Sequence, residues 1–154
     1  MPKSFTIKPI GVVRSTRKKI ADDNWNREKV RIELDPKISL DTLEGIDVFS
    51  HLEILFVFDR VKTSEICWGK RHPRDNPKYP KFGIFALRGR ARPNRIGATM
   101  VKLKSRRGRK LFVEGLDAID GTPVIDIKPV LRVFLPKGKI SGPRWVTKLM
   151  KNYW

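Results

Sequence analysis

Four arginines crowd one short turn. In FGIFALRGRARPNRIGATMVKL, residues 82 to 103, Arg88, Arg90, Arg92 and Arg95 stand among Gly89, Pro93, Asn94 and Gly97, between two strand-like runs. A guanidinium offers a planar fork of donors that grips a carboxylate or a phosphate by two prongs. Pro93 fixes its own backbone and biases Arg92 toward extended geometry, so the side chains leave a defined frame. Gly97 permits close backbone approach. The chemistry expected here is anion binding, although a tight turn with merely solvated arginines shows the same pattern.

A second constellation is LDAIDGTPVIDIKP, residues 116 to 129. Asp120, Gly121, Thr122 and Pro123 signal a turn, and Asp126 and Lys128 follow two residues apart, on one face of a strand. Such a pair is either a structural ion pair or the lining of a polar pocket at a barrel mouth. His51 opens the most apolar run, where a core histidine satisfied by backbone groups is expected ahead of a site role, and His72 lies in a basic loop with no carboxylate at fixed spacing. No Ser-His-Asp arrangement, phosphate-binding glycine loop or paired-carboxylate signature is present. The single cysteine, Cys67, excludes an internal disulfide, and no Cys/His spacing predicts a metal site.

Charge narrows the partner. Lys and Arg number 34 against 16 Asp and Glu, a formal net charge of +18. Residues 1 to 66 hold 12 basic and 11 acidic side chains, whereas residues 67 to 154 hold 22 and 5. A field so concentrated repels itself unless a polyanion relieves it, which favours nucleic acid over a lysine-rich thermophilic surface, since that would carry more Glu. Nothing approaches the roughly 20 apolar residues of a membrane helix, and MPKSFTIKPIG lacks a signal-peptide apolar run, so a soluble, cytoplasmic protein is expected.

The elements that must position these groups read as strands. FTIKPIGVVR (5 to 14) and KVRIEL (29 to 34) alternate at period two, and LEILFVF (52 to 58) suits a central strand covered on both faces. FGIFAL, ATMVKL, KLFVEGL and PVIDIKPVLRVF complete about seven strands bounded by turn residues. The fold expected is all-β: one domain over 1–154, a closed or nearly closed antiparallel β-barrel with long loops. SLDTLEGID (39 to 47) reads as one or two helical turns ending at Gly45. SGPRWVTKLMKNYW reads as a short C-terminal helix with Trp145, Leu149 and Tyr153 on one face. Residues 67 to 83 read as a long functional loop, and KSRRGRK (104 to 110) as a basic hairpin tip, either solvated or touching phosphate. The residues alone thus describe a basic RNA-binding β-domain, without a reaction.

The chain resembles the TsaA-like (TrmO) family of S-adenosylmethionine-dependent tRNA methyltransferases. The similarity runs through IGVVRS (10 to 15), FSHLEILFVFDR (49 to 60), the arginine block and LDAIDGTPVIDIKPVL (116 to 131), in order. It implies a homodimeric β-barrel methyltransferase acting on N6 of threonylcarbamoyladenosine beside the tRNA anticodon. The implied S-adenosyl-L-methionine pocket comprises Asp59, Arg60, Arg88, Ile96, Gly97 and the backbone of Leu116, Asp117, Ala118 and Ile119. Asn24 and Trp25 are assigned by position alone, because KKIADDNWNRE does not match the family loop. Asp126 is the candidate general base, and no metal is implied. Arg90, Arg92, Arg95 and Lys128, with Arg71, Arg74, Arg106 and Arg107 from the basic loops, are expected on RNA. Arg95 and Val130 depart from the patterns RPNPIG and DIKPY, and Thr16 stands where proline is common. A non-catalytic RNA-binding barrel, or a methyltransferase with another substrate, is the alternative.

Overall fold

The computed structural model describes residues 3–154. Its strands are β1 (Gly11–Ser15), β2 (Val30–Leu34), β3 (His51–Val57), β4 (Lys70–Arg71), β5 (Phe82–Gly83), β6 (Ile96–Arg107), β7 (Lys110–Glu114) and β8 (Pro123–Pro129), with one helix, α1 (Arg144–Leu149). Six strands close a barrel in the order β1-β2-β7-β6-β3-β8, each adjacent pair antiparallel, while β4 and β5 make a small ribbon inside the 67-to-83 loop. The expected all-β, closed antiparallel barrel is therefore present.

Period-two alternation builds it. Along β3, Leu52, Ile54 and Phe56 point inward and are buried, and their cross-strand partners Val101, Ile127 and Val124 share that face. Val13, Ile32 and Leu111 fill the interior from the other wall, as side chains do in a small barrel. Each such buried aliphatic side chain contributes about 1.5–3 kcal/mol over leaving it in water. The segment after β7 crosses one mouth: Leu116, Ala118 and Ile119 are buried there, and the Gly121 amide bonds the Val13 carbonyl at 2.8 Å. Gly97 is needed for packing as well as approach. A Cβ at that position would lie 2.5 Å from the Phe56 ring and 2.9 Å from Phe58, two rings that meet edge to face.

Several boundaries differ from expectation. Strand structure begins only at Gly11, and FGIFAL turns into a 3-10 segment at Ile84–Ala86 after two extended residues. The run from Pro123 stops at Pro129, since a 3-10 turn follows at Arg132–Phe134. The basic tip is tighter than expected: Arg107 pairs with Lys110 around Gly108, whose φ is 56°. SLDTLEGID does form 3-10 turns, Leu40–Leu43 and Ile46–Val48, hinged on Gly45 at φ 77°. His51 is exposed, at the barrel rim with its Nδ1 beside Ser50 Oγ at 2.8 Å, and is no core histidine. The C-terminal helix ends at Leu149, so Tyr153 leaves the helical face expected to carry it.

Candidate functional site

The mouth crossed by residues 115 to 122 gathers most of the candidate cofactor residues. Arg88 is exposed and donates one guanidinium N–H to the Ala98 carbonyl at 2.8 Å. On the next residue, Thr99 donates its hydroxyl to the Asp117 carboxylate. That carboxylate also accepts the phenol of Tyr153. Burial, then the adjacent Asp117 charge, push the Tyr153 phenol far above the usual range, so it remains a protonated donor. Arg74 lies over the Tyr153 ring, 5.8 Å from its centroid. Leu116, Ala118 and Ile119 are buried in the barrel end as whole residues. Ile96 and Gly97 begin β6 beside them. Arg60 joins the same loop from β3, donating to Asp120 O at 2.9 Å and Lys18 O at 3.0 Å, and Asp59 next to it is exposed.

Asn24 and Trp25 reach this cluster through the chain terminus. Asn24 N bonds Asn152 O at 2.8 Å and Trp25 N bonds Tyr153 O at 3.0 Å. Arg17 holds their loop in place: it donates to Asp23 O and Asn24 O, both at 2.9 Å, pairs with Glu28 at 2.8 Å and stacks on the Trp25 ring. The Thr16 hydroxyl, then Arg17, hold the Glu28 carboxyl below its ordinary range. Asp120 is likewise held low, by Lys18 first and the Ser15 amide second.

The basic residues divide into two groups. Arg92 donates to Leu87 O and Arg95 to Val61 O, both at 2.8 Å, and Arg95 takes φ 54°, so these guanidinium groups brace the turn with part of their donor set. Arg106 is turned inward onto Leu43 O, Gly108 O and Asp47, and its side chain is only 18% exposed, so part of its donor set is taken by the chain itself. Arg71 is paired with Asp75. Arg74 lies 3.0 Å from Asp23 Oδ1; the angle makes no hydrogen bond, and that oxygen has no other partner among the described residues. Arg90, Arg107 and Lys128 are exposed. Asp126 faces outward from β8 opposite Leu55, ion-paired with Lys128, so the structure does not bring it to Asp117.

One contrast organises the electrostatics. Of the five carboxylates after residue 66, Asp75, Glu114, Asp120 and Asp126 are ion-paired, while Asp117, among the described residues, has only neutral hydroxyl partners. Thr99 and Tyr153 are the site residues that sequence reasoning missed. Two shallow depressions on the outer wall, around Phe112 and around Arg109, include none of the candidate cofactor residues.

Comparison with known proteins now decides the family. The profile of the tRNA-methyltransferase O N-terminal domain matches residues 18–134. The chain belongs to that family. A "Probable S-adenosyl-L-methionine-binding protein" of Methanothermobacter thermautotrophicus is 38% identical over 130 residues, 80% of this chain and 88% of that protein. A protein of the same description from Archaeoglobus fulgidus is 39% identical over 127 residues, 80% of this chain and 33% of its own length. The human "tRNA (adenine(37)-N6)-methyltransferase" is 40% identical over 111 residues, 72% of this chain and 25% of that enzyme. The crystal structure of TrmO from Pseudomonas aeruginosa superposes with a TM-score of 0.73 at 27% identity, covering 94% of this chain and 63% of that one. The chain thus spans only a part of several relatives. Its tRNA-methyltransferase O domain is the portion they share.

Proposed function

We propose that this chain is an S-adenosyl-L-methionine-dependent methyltransferase that acts on N6 of threonylcarbamoyladenosine next to the anticodon of tRNA. Membership of the tRNA-methyltransferase O family across residues 18–134 carries this reading. The donor set at the barrel mouth fits the cofactor, which is a sulfonium and an ammonium with one carboxylate. Arg88 keeps guanidinium donors beyond the one bound to Ala98, enough to take a carboxylate, and Asp117 offers a carboxylate that, among the described residues, is in no ion pair. When bound, the cofactor supplies an activated methyl group.

What the chain must then do is hold a weakly basic ureido-type nitrogen close and aligned, which needs no conspicuous catalytic dyad. Asp126 is the candidate base. It shares a cross-strand row with Leu55 and Ala98, two strand spacings or about 10 Å from the carbonyl that Arg88 holds. Arg90, Arg107 and Lys128 would grip phosphates, with Arg92 and Arg95 setting the shape of the turn. A homodimer is part of the reading, supported by exposed apolar side chains at Leu131, Val133, Phe134 and Leu135, as is a cytoplasmic site of action. Among the described residues no helix is long and apolar enough to cross a membrane. Calorimetric titration of the full chain with S-adenosyl-L-methionine tests the cofactor assignment; saturable one-to-one binding supports it, and no heat at millimolar ligand refutes it.

A further inference from the structure

The C-terminal segment is built into the mouth it crosses. Trp145 of α1 packs on Tyr79 and Phe82, 5.5 and 5.3 Å between ring centroids, and so anchors the helix to the 67-to-83 loop. Residues 131 to 144 run exposed to reach that anchor. Beyond α1, Asn152 and Tyr153 are pinned by the backbone bonds from Asn24 and Trp25 described above, and Trp154 packs edge to face on Tyr153. The purpose of so many attachments is legible in where the phenol ends: on Asp117, opposite the Thr99 hydroxyl.

Two neutral donors are an unusual choice at this spot. Arg74 and Arg88 both lie close enough for their charges to act on Tyr153, so cationic partners for Asp117 are at hand. A guanidinium bound there would fix the carboxylate and also neutralise it, whereas hydroxyl donors fix it and leave its charge intact. In the half of the chain that carries 22 basic side chains against 5 acidic ones, this is the carboxylate kept free of an ion pair among the described residues. A preserved, oriented negative charge beside a ligand site favours a positively charged ligand over a neutral one of the same shape.

We propose that Tyr153, with Thr99, is a positioning residue that holds the Asp117 carboxylate as the charge-reading group of the site, making it select sulfonium over thioether. This rests on the reading of the mouth as an S-adenosyl-L-methionine site and adds to it a residue and a selectivity. The selectivity matters for turnover, because the product, S-adenosyl-L-homocysteine, differs from the cofactor by the methyl group and the charge. Without the phenol, Asp117 turns toward Arg74 or Arg88 and its charge is lost to the ligand.

The test is calorimetric titration of both ligands into the full chain and into Tyr153→Phe and Thr99→Val. Tyr153→Phe keeps the ring and its packing and removes only the donor. The proposal expects affinity for S-adenosyl-L-methionine to fall about tenfold while that for S-adenosyl-L-homocysteine changes less than about twofold. Thr99→Val should shift the ratio in the same direction. An equal loss for both ligands would show a merely structural role, and unchanged affinities would remove Tyr153 from the site; either overturns the proposal. Failure of the unsubstituted chain to bind either ligand would instead sink the cofactor assignment itself, and this proposal with it.

Discussion

Replacing Gly97 with alanine tests the packing that supports the whole mouth. The added methyl would sit 2.5 and 2.6 Å from two Phe56 ring atoms and 2.9 Å from Phe58, about 1 Å inside normal carbon contact. Phe56 is 1% exposed and pairs directly with Gly97 across β3 and β6, so its ring cannot swing aside without moving the sheet. Overpacking of this kind costs about 1–3 kcal/mol, and the enclosed ring argues for the upper end. For a chain of this size, about 3 kcal/mol lowers Tm by about 6–12 °C. Urea unfolding followed by fluorescence, with buried Trp25 among the reporters, reads the loss. Gly69→Ala and Gly89→Ala serve as controls, because among the described residues nothing lies within 4 Å of a Cβ at either position; both should stay within about 0.5 kcal/mol of the unsubstituted chain. A Gly97→Ala midpoint no lower than that of Gly89→Ala would refute the described packing.

The two arginines of the basic tip should separate. Arg106→Ala loses bonds to Leu43, Gly108 and Asp47 and should destabilise by about 1–3 kcal/mol in urea. Arg107→Ala should leave stability alone and reduce the salt slope of tRNA binding by about 1; an unchanged slope excludes Arg107 from the interface. Acid should unfold the chain through paired carboxylates. Glu28, Glu33 and Asp120 all have carboxyls held below their ordinary values of 4.5, 4.5 and 3.8, for Glu33 by Arg31 first and Arg14 second. Their stabilisation is therefore complete above those values and lost as pH falls through the lower folded ones. The urea midpoint should be flat from about pH 7 to 5 and drop below about pH 4; a midpoint independent of pH down to 3 would contradict these pairings.

Much of the barrel was legible because alternation is local. LEILFVF, apolar at six of seven positions, announces a strand but suggests cover on both faces; Leu52, Ile54 and Phe56 are buried, while Leu55 and Val57 on the outer face are only half-buried. Closure is a different matter, since β1 meeting β8 depends on pairings between residues more than a hundred positions apart. The arginine turn shows the same limit. Residue type and Pro93 revealed a stiff cationic frame, and Arg92 is extended at φ −117° as expected. Where the guanidinium donors go is decided by carbonyls at positions 61, 87 and 98, which no local pattern marks. Arg95 adopts φ 54°, which a proline cannot.

Tyr153 was hidden by its own periodicity. Spacing of four from Trp145 and Leu149 placed it on a helical face, but the helix stops at Leu149 and the chain then pairs with Asn24 and Trp25. Its partner Asp117 lies 36 positions away, just before the turn signalled by Asp120 to Pro123, and no local pattern joins the two. Arg106 and Arg107 look alike in sequence for the opposite reason: β-strand alternation sends one toward the Leu40–Val48 turns and the other over Phe112.

Methyl transfer to RNA is the central claim, and one measurement addresses it directly. The full chain is incubated with tRNA containing threonylcarbamoyladenosine and with S-adenosyl-L-methionine carrying a deuterated methyl group, and the digested nucleosides are weighed by mass spectrometry. The account predicts that the labelled methyl appears on threonylcarbamoyladenosine and disappears with Arg88→Ala. Label on no nucleoside, or on another nucleoside while threonylcarbamoyladenosine stays unmodified, would contradict it.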